Sequence, residues 1–211
     1  TKNRFHAGTA AVLTALLAIA SALTPITAAA QPQLDADPYT VLKTSSDDLL
    51  QSIKNDRERL KATPGAVYEL LSTKVKPTLD IPYMTALILG RHYRKSNDEQ
   101  RAAFAEAFAQ QMINRYADAL LEYGGEAVSY TPVTPKPGED KVKVKSTIVP
   151  ASGVAVPLLY SMRQNSKDKR WRIYDVTIDG ISMITNYRTQ FDSEIRRKGL
   201  DGVIAELKSA K

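Results

Sequence analysis

Apolar side chains recur every three or four positions up to about residue 123, every second position over most of 126–178, and every three or four again to the end. The change of period predicts helices, then strands, then helices. In the first part, Leu42, Leu49, Ile53 and Leu60 form one helical stripe, and Val67, Leu70, Leu71 and Val75 form a second that Pro77 stops. Asp37-Pro38 and Thr63-Pro64 each place a capping side chain before a proline at the first helical position, where a missing N–H costs nothing. Asp80-Ile81-Pro82 opens a third helix with Tyr83, Leu87 and Ile88 apolar. Ser96 and Glu99 match a capping box at the start of the longest helix, expected over 97–123 ahead of Gly124-Gly125. Its stripe is Phe104, Phe108, Met112, Tyr116, Leu120 and Tyr123.

In the second part, Val142 and Val144 alternate with Lys141, Lys143 and Lys145, while Val154, Val156, Leu158, Tyr160 and Met162 alternate with smaller or polar neighbours. Such alternation marks strands with one buried face. Adding 126–133 and 170–178 predicts four strands, joined by turns at Pro135-Lys136-Pro137-Gly138, Pro150-Ala151-Ser152-Gly153 and Asn165-Ser166-Lys167-Asp168. Two helices close the chain, one with Ile184, Tyr187, Phe191 and Ile195 in line before Gly199, the other capped by Asp201 with Val203, Ile204 and Leu207 inside. The expected architecture is α+β: a four-stranded, twisted antiparallel meander with helices over one face.

The first thirty residues read differently. Lys2 and Arg4 precede a charge-free apolar stretch over 10–23, and Ala28-Ala29-Ala30 offers small residues to a peptidase, the layout of a secretory signal peptide. The apolar stretch falls well short of the roughly 20 residues of a membrane-spanning helix. Residues 1–30 are therefore expected to be removed and 31–211 to form one exported, soluble domain. Removal takes away Lys2, Arg4 and no acid, so the formal charge falls from +6 to +4. The remaining basic residues are dispersed, which argues against nucleic acid and for a solvated surface that meets anionic lipid or acidic partners. The absence of cysteine excludes disulfides, a thiolate nucleophile, a thiolate metal site and a lipid-modified cysteine anchor.

Candidate chemistry is sparse. Beyond the leader His92 is the one histidine, which leaves no histidine pair for a metal and only this residue for a Ser-His-Asp arrangement. A surface or packing role is the alternative for it. Asp175 and Asp179 share a strand face but stand about 13 Å apart along it, too far to act jointly on one bond. Asp179-Gly180 suits a turn, and Asp175 suits a hydrogen bond to a neighbouring helix. The glycines are scattered at turns and helix ends, so no phosphate loop is present.

One string is distinctive. Trp171-Arg172-Ile173-Tyr174-Asp175-Val176-Thr177-Ile178-Asp179-Gly180-Ile181-Ser182, followed by Asn186-Tyr187-Arg188-Thr189-Gln190-Phe191, resembles the hallmark of the MlaC family, the toluene-tolerance auxiliary proteins. Glu99-Gln100-Arg101 through Phe104, Phe108 and Tyr116, and the closing Gly199-Leu200-Asp201-Gly202-Val203-Ile204 with Leu207, are similar to that family's patterns. The resemblance implies an NTF2-like or cystatin-like core with a helical N-terminal part enclosing an apolar cavity. It implies a periplasmic phospholipid carrier that is not an enzyme, needs no cofactor, acts as a monomer and holds phospholipid as its ligand. Its partners would be an outer-membrane lipoprotein complex and an inner-membrane ABC transporter with its substrate-binding subunit, and the role would be maintaining outer-membrane lipid asymmetry.

On that resemblance, the expected pocket lining is Val144, Val156, Leu158, Tyr160, Ile173 and Val176 from the strands, with Phe104, Phe108, Met112 and Tyr187 opposite. The same stripes would also suit a dry core. Trp171 is placed either at the rim or in fixed packing against a helix. Arg188 is a candidate for the lipid phosphate, an internal bond to Asp175 or a helix end being the other use. Two further functions stay open: a small α+β enzyme drawing on His92, carboxylates and tyrosines, and an envelope chaperone that binds apolar segments without lipid.

Overall fold

The first helix, α1 (Pro38–Ala62), starts where the Asp37-Pro38 pair places it, with the Asp37 carboxylate accepting from the Thr40 N–H at 3.1 Å. The computed structural model describes residues 37–63, 65–121, 127–149 and 153–209. The expected signal peptide, Pro64, Tyr123, Gly124-Gly125 and Pro150-Ala151-Ser152 lie outside these residues, as do the side chains of Tyr116 and Leu120. Thr63 does not start the second helix. Its N–H closes α1 on the Arg59 carbonyl at 2.9 Å, so the residue serves as a stop, and α2 (Ala66–Lys74) begins after Gly65.

A 3₁₀ turn (Lys76–Thr78) leads to α3 (Ile81–Leu89), whose first turn is capped by Asp80 accepting from the Tyr83 N–H at 3.2 Å. After a second 3₁₀ segment (Gly90–Lys95) comes α4 (Asp98–Leu121). Its capping box lies one residue beyond the expected Ser96 and Glu99. Asn97 Oδ1 accepts from the Gln100 N–H at 2.8 Å and Gln100 Oε1 from the Asn97 N–H at 3.2 Å. Ser96 is already committed, because its hydroxyl donates to the Tyr93 carbonyl and its N–H to that of His92. The expected closing helices form one run, α5 (Met183–Ser209), broken at Gly199. Among the described residues, the 24 of α4 run without a break, whereas the 25 of α1 are interrupted at Asp56 and the 27 of α5 at Gly199.

The sheet has five strands in the order β1-β2-β3-β4-β5, each antiparallel to the next: β1 (Ala127–Tyr130), β2 (Lys141–Val149), β3 (Val156–Gln164), β4 (Trp171–Ile178) and β5 (Ile181–Ser182). Two-residue β5 is the strand beyond the expected four, too short to show a period. Asp179 (φ 47°) and Gly180 (φ 80°) make the tight turn that returns it onto β4. The first strand is shorter than expected and ends at Tyr130.

The register puts Val142, Met162 and Ile173 in one row, Val144, Tyr160 and Val176 in the next, and Ser146, Leu158 and Ile178 in a third. These rows share the inner face, and an irregularity at Ser161/Met162 keeps Ile173 and Val176 on it. Lys141, Lys143 and Lys145 point outward and are exposed. The start of α1 covers the inner face at one end, where Val41 and Leu42 pack with Val142, Val144, Met162, Trp171 and Ile173. Trp171 thus takes the packing role.

Contrary to expectation, helices do not contact one face alone. Tyr83 of α3 lies over outward-facing residues of β2 and β3, with the Arg163 guanidinium 4.1 Å from its ring centre and Lys141 Nζ 3.2 Å from its hydroxyl. Asp80 accepts from Arg163 at 2.6 Å, and its own N–H donates to the Ile173 carbonyl at 2.8 Å. The segment entering α3 is therefore stitched to the β4 edge, with helical layer and sheet meeting there.

Candidate functional site

Three apolar clusters fill the interior, and their meeting point is the feature of interest. One joins α3, α4 and α5 around Phe104, Phe108, Tyr187 and Phe191. A second joins the sheet to the start of α1, and a third joins α1, α2 and α4 around Ile53, Leu71 and Ile113. Leu79, in the link between the first 3₁₀ turn and α3, packs against both the first and second clusters. Beside it lies a cavity of about 40 Å³ lined by Val75, Lys76, Leu79, Ile81, Met84, Phe108, Ala109, Met112 and Ile113. Its wall draws on the first cluster through Phe108 and Met84 and on the third through Ile113 and Val75. The volume would hold a water or two, far below the roughly 300 Å³ of an ordinary ligand pocket. Among the described residues, this cavity is too small to hold an acyl chain.

The expected lining residues divide between two places. Phe104, Phe108 and Tyr187 are fully packed in an aromatic group with Phe191, with centres 5.0 Å apart for Phe108–Tyr187 and 5.1 Å for Phe104–Phe191. Of these, Phe108 also faces the cavity, and Met112 lines it. Val144 and Ile173 are buried in the sheet cluster, with Tyr160 and Val176 half-buried against it. Leu158 is buried further along the same inner face and Val156 is half-buried there. Burial pushes the Tyr160 phenol well above its usual range, with a smaller contribution from Tyr130, so it stays neutral in this apolar setting. Ser146, in the row with Leu158, is buried with its hydroxyl unpartnered.

Arg188 stands apart from cavity and sheet. It is exposed on α5, with its guanidinium over the end of α3, where a Cβ at Gly90 would come within 3.0 Å of Nε. Asp175, as expected, serves a helix: it accepts from the Ile184 N–H at 3.0 Å and from the Ser182 hydroxyl at 2.7 Å, capping the start of α5. His92 Nε2 lies 2.7 Å from Asp192 Oδ1 in a surface group with Arg91 and Arg196. Among the described residues no group of three or more His, Cys, Asp and Glu side chains is placed to hold a metal.

Sequence reasoning missed Val75, Lys76, Leu79, Ile81, Met84, Ala109 and Ile113 as cavity residues. Ala109 and Ile113 flank the recognised stripe of α4, so a wider stripe would have included them. For Lys76 and Leu79, between elements, no periodic signal exists.

A structure of the phospholipid-binding protein from Ralstonia solanacearum, in complex with a phospholipid, matches with a TM-score of 0.75 at 28% identity, covering 82% of this chain and 96% of that one. The intermembrane phospholipid transport system binding protein MlaC of Haemophilus influenzae is 24% identical over 177 residues, 83% of each chain. The toluene tolerance protein ttg2D of Pseudomonas putida is 27% identical over 203 residues, 93% of this chain and 91% of that one. A family model described as MlaC protein matches residues 43–209, covering both the helical layer and the sheet, and the chain therefore belongs to the MlaC family.

Proposed function

We propose that this protein is a phospholipid carrier that takes acyl chains into the seam between its helical layer and the inner face of its sheet. The observation that carries the reading is the likeness, over 82% of its length, to a Ralstonia protein in complex with a phospholipid. Two features of this chain support it: a small apolar cavity left among the end of α2, the 3₁₀ turn, α3 and α4, and a half-buried apolar inner face of the sheet, with Leu79 packed against both the helical and the sheet cluster. Val144, Val156, Leu158, Tyr160, Ile173 and Val176 form the sheet side of the lipid site, and Phe108 and Met112 the helical side. Phe104 and Tyr187 back that wall.

Two acyl tails carry roughly 30 methylenes, whose removal from water is worth on the order of 25 kcal/mol. A carrier that released lipid into water would have to overcome that whole sum. Exchange between one apolar site and another cancels most of it, so loading and release happen against partner proteins, and those partners set the direction. The signal-peptide pattern of residues 1–30 supports export of the domain of residues 31–211 to the periplasm. There, as a monomer, it would move lipid between an outer-membrane lipoprotein complex and the substrate-binding subunit of an inner-membrane ABC transporter. The names of the Haemophilus and Pseudomonas relatives support this assignment.

Native mass spectrometry of the protein purified without detergent tests the reading. A mass excess equal to one or more phospholipids, lost in Leu158→Arg with the circular dichroism spectrum unchanged, is the expected result. A bare mass that persists after incubation with phospholipid vesicles would overturn it and favour the chaperone reading.

A further inference from the structure

Among the cavity-lining side chains, Lys76 is the charged one. Its backbone belongs to the 3₁₀ turn after α2, but its ammonium reaches α4, where Nζ lies 2.8 and 3.0 Å from the two carboxylate oxygens of Glu106. The lysine side chain is 34% exposed and that of Glu106 62%. The aliphatic stem therefore runs along the apolar wall while the charged head stands at the rim in solvent. The pair bridges the 3₁₀ turn and α4 over the seam.

We propose that Lys76 is the cation that receives the phosphodiester of the carried lipid, and that Glu106 is the internal anion that occupies it while the seam is closed. This rests on the reading that acyl chains enter the seam. A glycerophospholipid joins apolar tails to a single anionic phosphodiester. Tails inserted beside Leu79 and Met112 bring that phosphodiester to the rim, where Lys76 stands. An ion pair this exposed holds its partners weakly, so one anion replaces the other at little cost. Opening the seam moves α4 away from the 3₁₀ turn, which separates Glu106 from Lys76 as the lipid phosphate arrives. Lys76 stays paired in both states, and the displaced Glu106 carboxylate, 62% exposed, is left to solvent. Arg188, beside Gly90 at the far end of α3, does not share this position, and Lys74 is engaged with Asp48 at 2.7 Å.

The test compares release of phosphatidylglycerol and of diacylglycerol with the same tails, each loaded into the protein and followed into acceptor vesicles. Lys76→Gln should release phosphatidylglycerol roughly two- to fivefold faster than the parent protein and leave diacylglycerol unchanged. Glu106→Gln, which frees Lys76, should slow phosphatidylglycerol release. Lys74→Gln removes the same charge two residues away and should change neither rate, which separates a specific contact from general attraction to an anionic surface. Equal phosphatidylglycerol release from Lys76→Gln and the parent protein overturns the inference but leaves the carrier reading standing. A parent protein that loads neither lipid overturns the carrier reading, and this one with it.

Discussion

The helical core and the inner face of the sheet are equally apolar in sequence but differ in how they are packed. Phe104, Phe108 and Phe191 are at most 1% exposed and their rings meet edge to face or stacked, so the group is shut off from solvent and only Phe108 borders the small cavity. Along the inner face, Val144 is fully buried under the start of α1, whereas Ile148, Val156, Tyr160, Val176 and Ile178 remain half-buried. A close-packed aromatic group resists rearrangement, because displacing any ring forfeits contacts on all sides. A half-covered sheet surface keeps unspent apolar area, and contact with a ligand can claim it. The stable scaffold and the adaptable site of this protein thus lie in different layers, joined at Leu79 and Asp80.

The most damaging way to break that comparison is to hollow the helical core. Phe104→Ala should lower unfolding free energy by about 3–5 kcal/mol, read as a shift of the urea midpoint. Cutting the joint comes next. Asp80 is buried, pairs with Arg163 and caps α3, so Asp80→Asn should cost roughly 3 kcal/mol in the same measurement, by leaving the guanidinium without its counter-charge. On the inner face, Val176→Ala should cost only about 0.8 kcal/mol, since its methyls are half-covered already. A loss as large as that of Phe104→Ala would show that the inner face is a dry core after all.

The smallest effect concerns pH at the surface of the helical layer. The hydrogen bond from His92, with Arg196 and Arg91 beside it, holds the Asp192 carboxyl at about 2, below its ordinary 3.8. A carboxyl depressed on folding stabilises the native state above its unfolded value, and that contribution is lost as pH falls through the folded one. Wild type and Asp192→Asn should therefore differ most above pH 4 and converge toward pH 2 in urea titrations. A difference that stays constant over that range would mean that the carboxylate charge is not what Asp192 contributes.

Much of this organisation was legible along the chain. The period of apolar residues, the Asp37 and Asp80 caps, the Asp179-Gly180 turn and the helix-capping use of Asp175 are local features, each decided within a few residues. The string from Trp171 to Ser182 pointed to the family for the same reason, since it is a contiguous motif. Near misses were also local: Thr63 had two possible uses and Asn97-Gln100 competed with Ser96-Glu99, and the choice depended on which backbone groups neighbouring turns had already claimed.

What folding alone decided involves residues far apart in sequence. Amphipathic periodicity says that Phe104, Phe108 and Tyr187 face inward, but not whether they meet each other or a ligand. Their contact with Phe191 depends on how α4 and α5 cross. The joining of Asp80 to Arg163 spans 83 residues and that of Lys76 to Glu106 spans 30, and neither pair lies in one periodic stripe. The sequence by itself determined which elements form and which side of each is apolar, because backbone geometry and side-chain period act locally. Only the tertiary structure decided which apolar surfaces meet and where a small cavity is left among the end of α2, the 3₁₀ turn, α3 and α4, because packing depends on shapes brought together from distant parts of the chain.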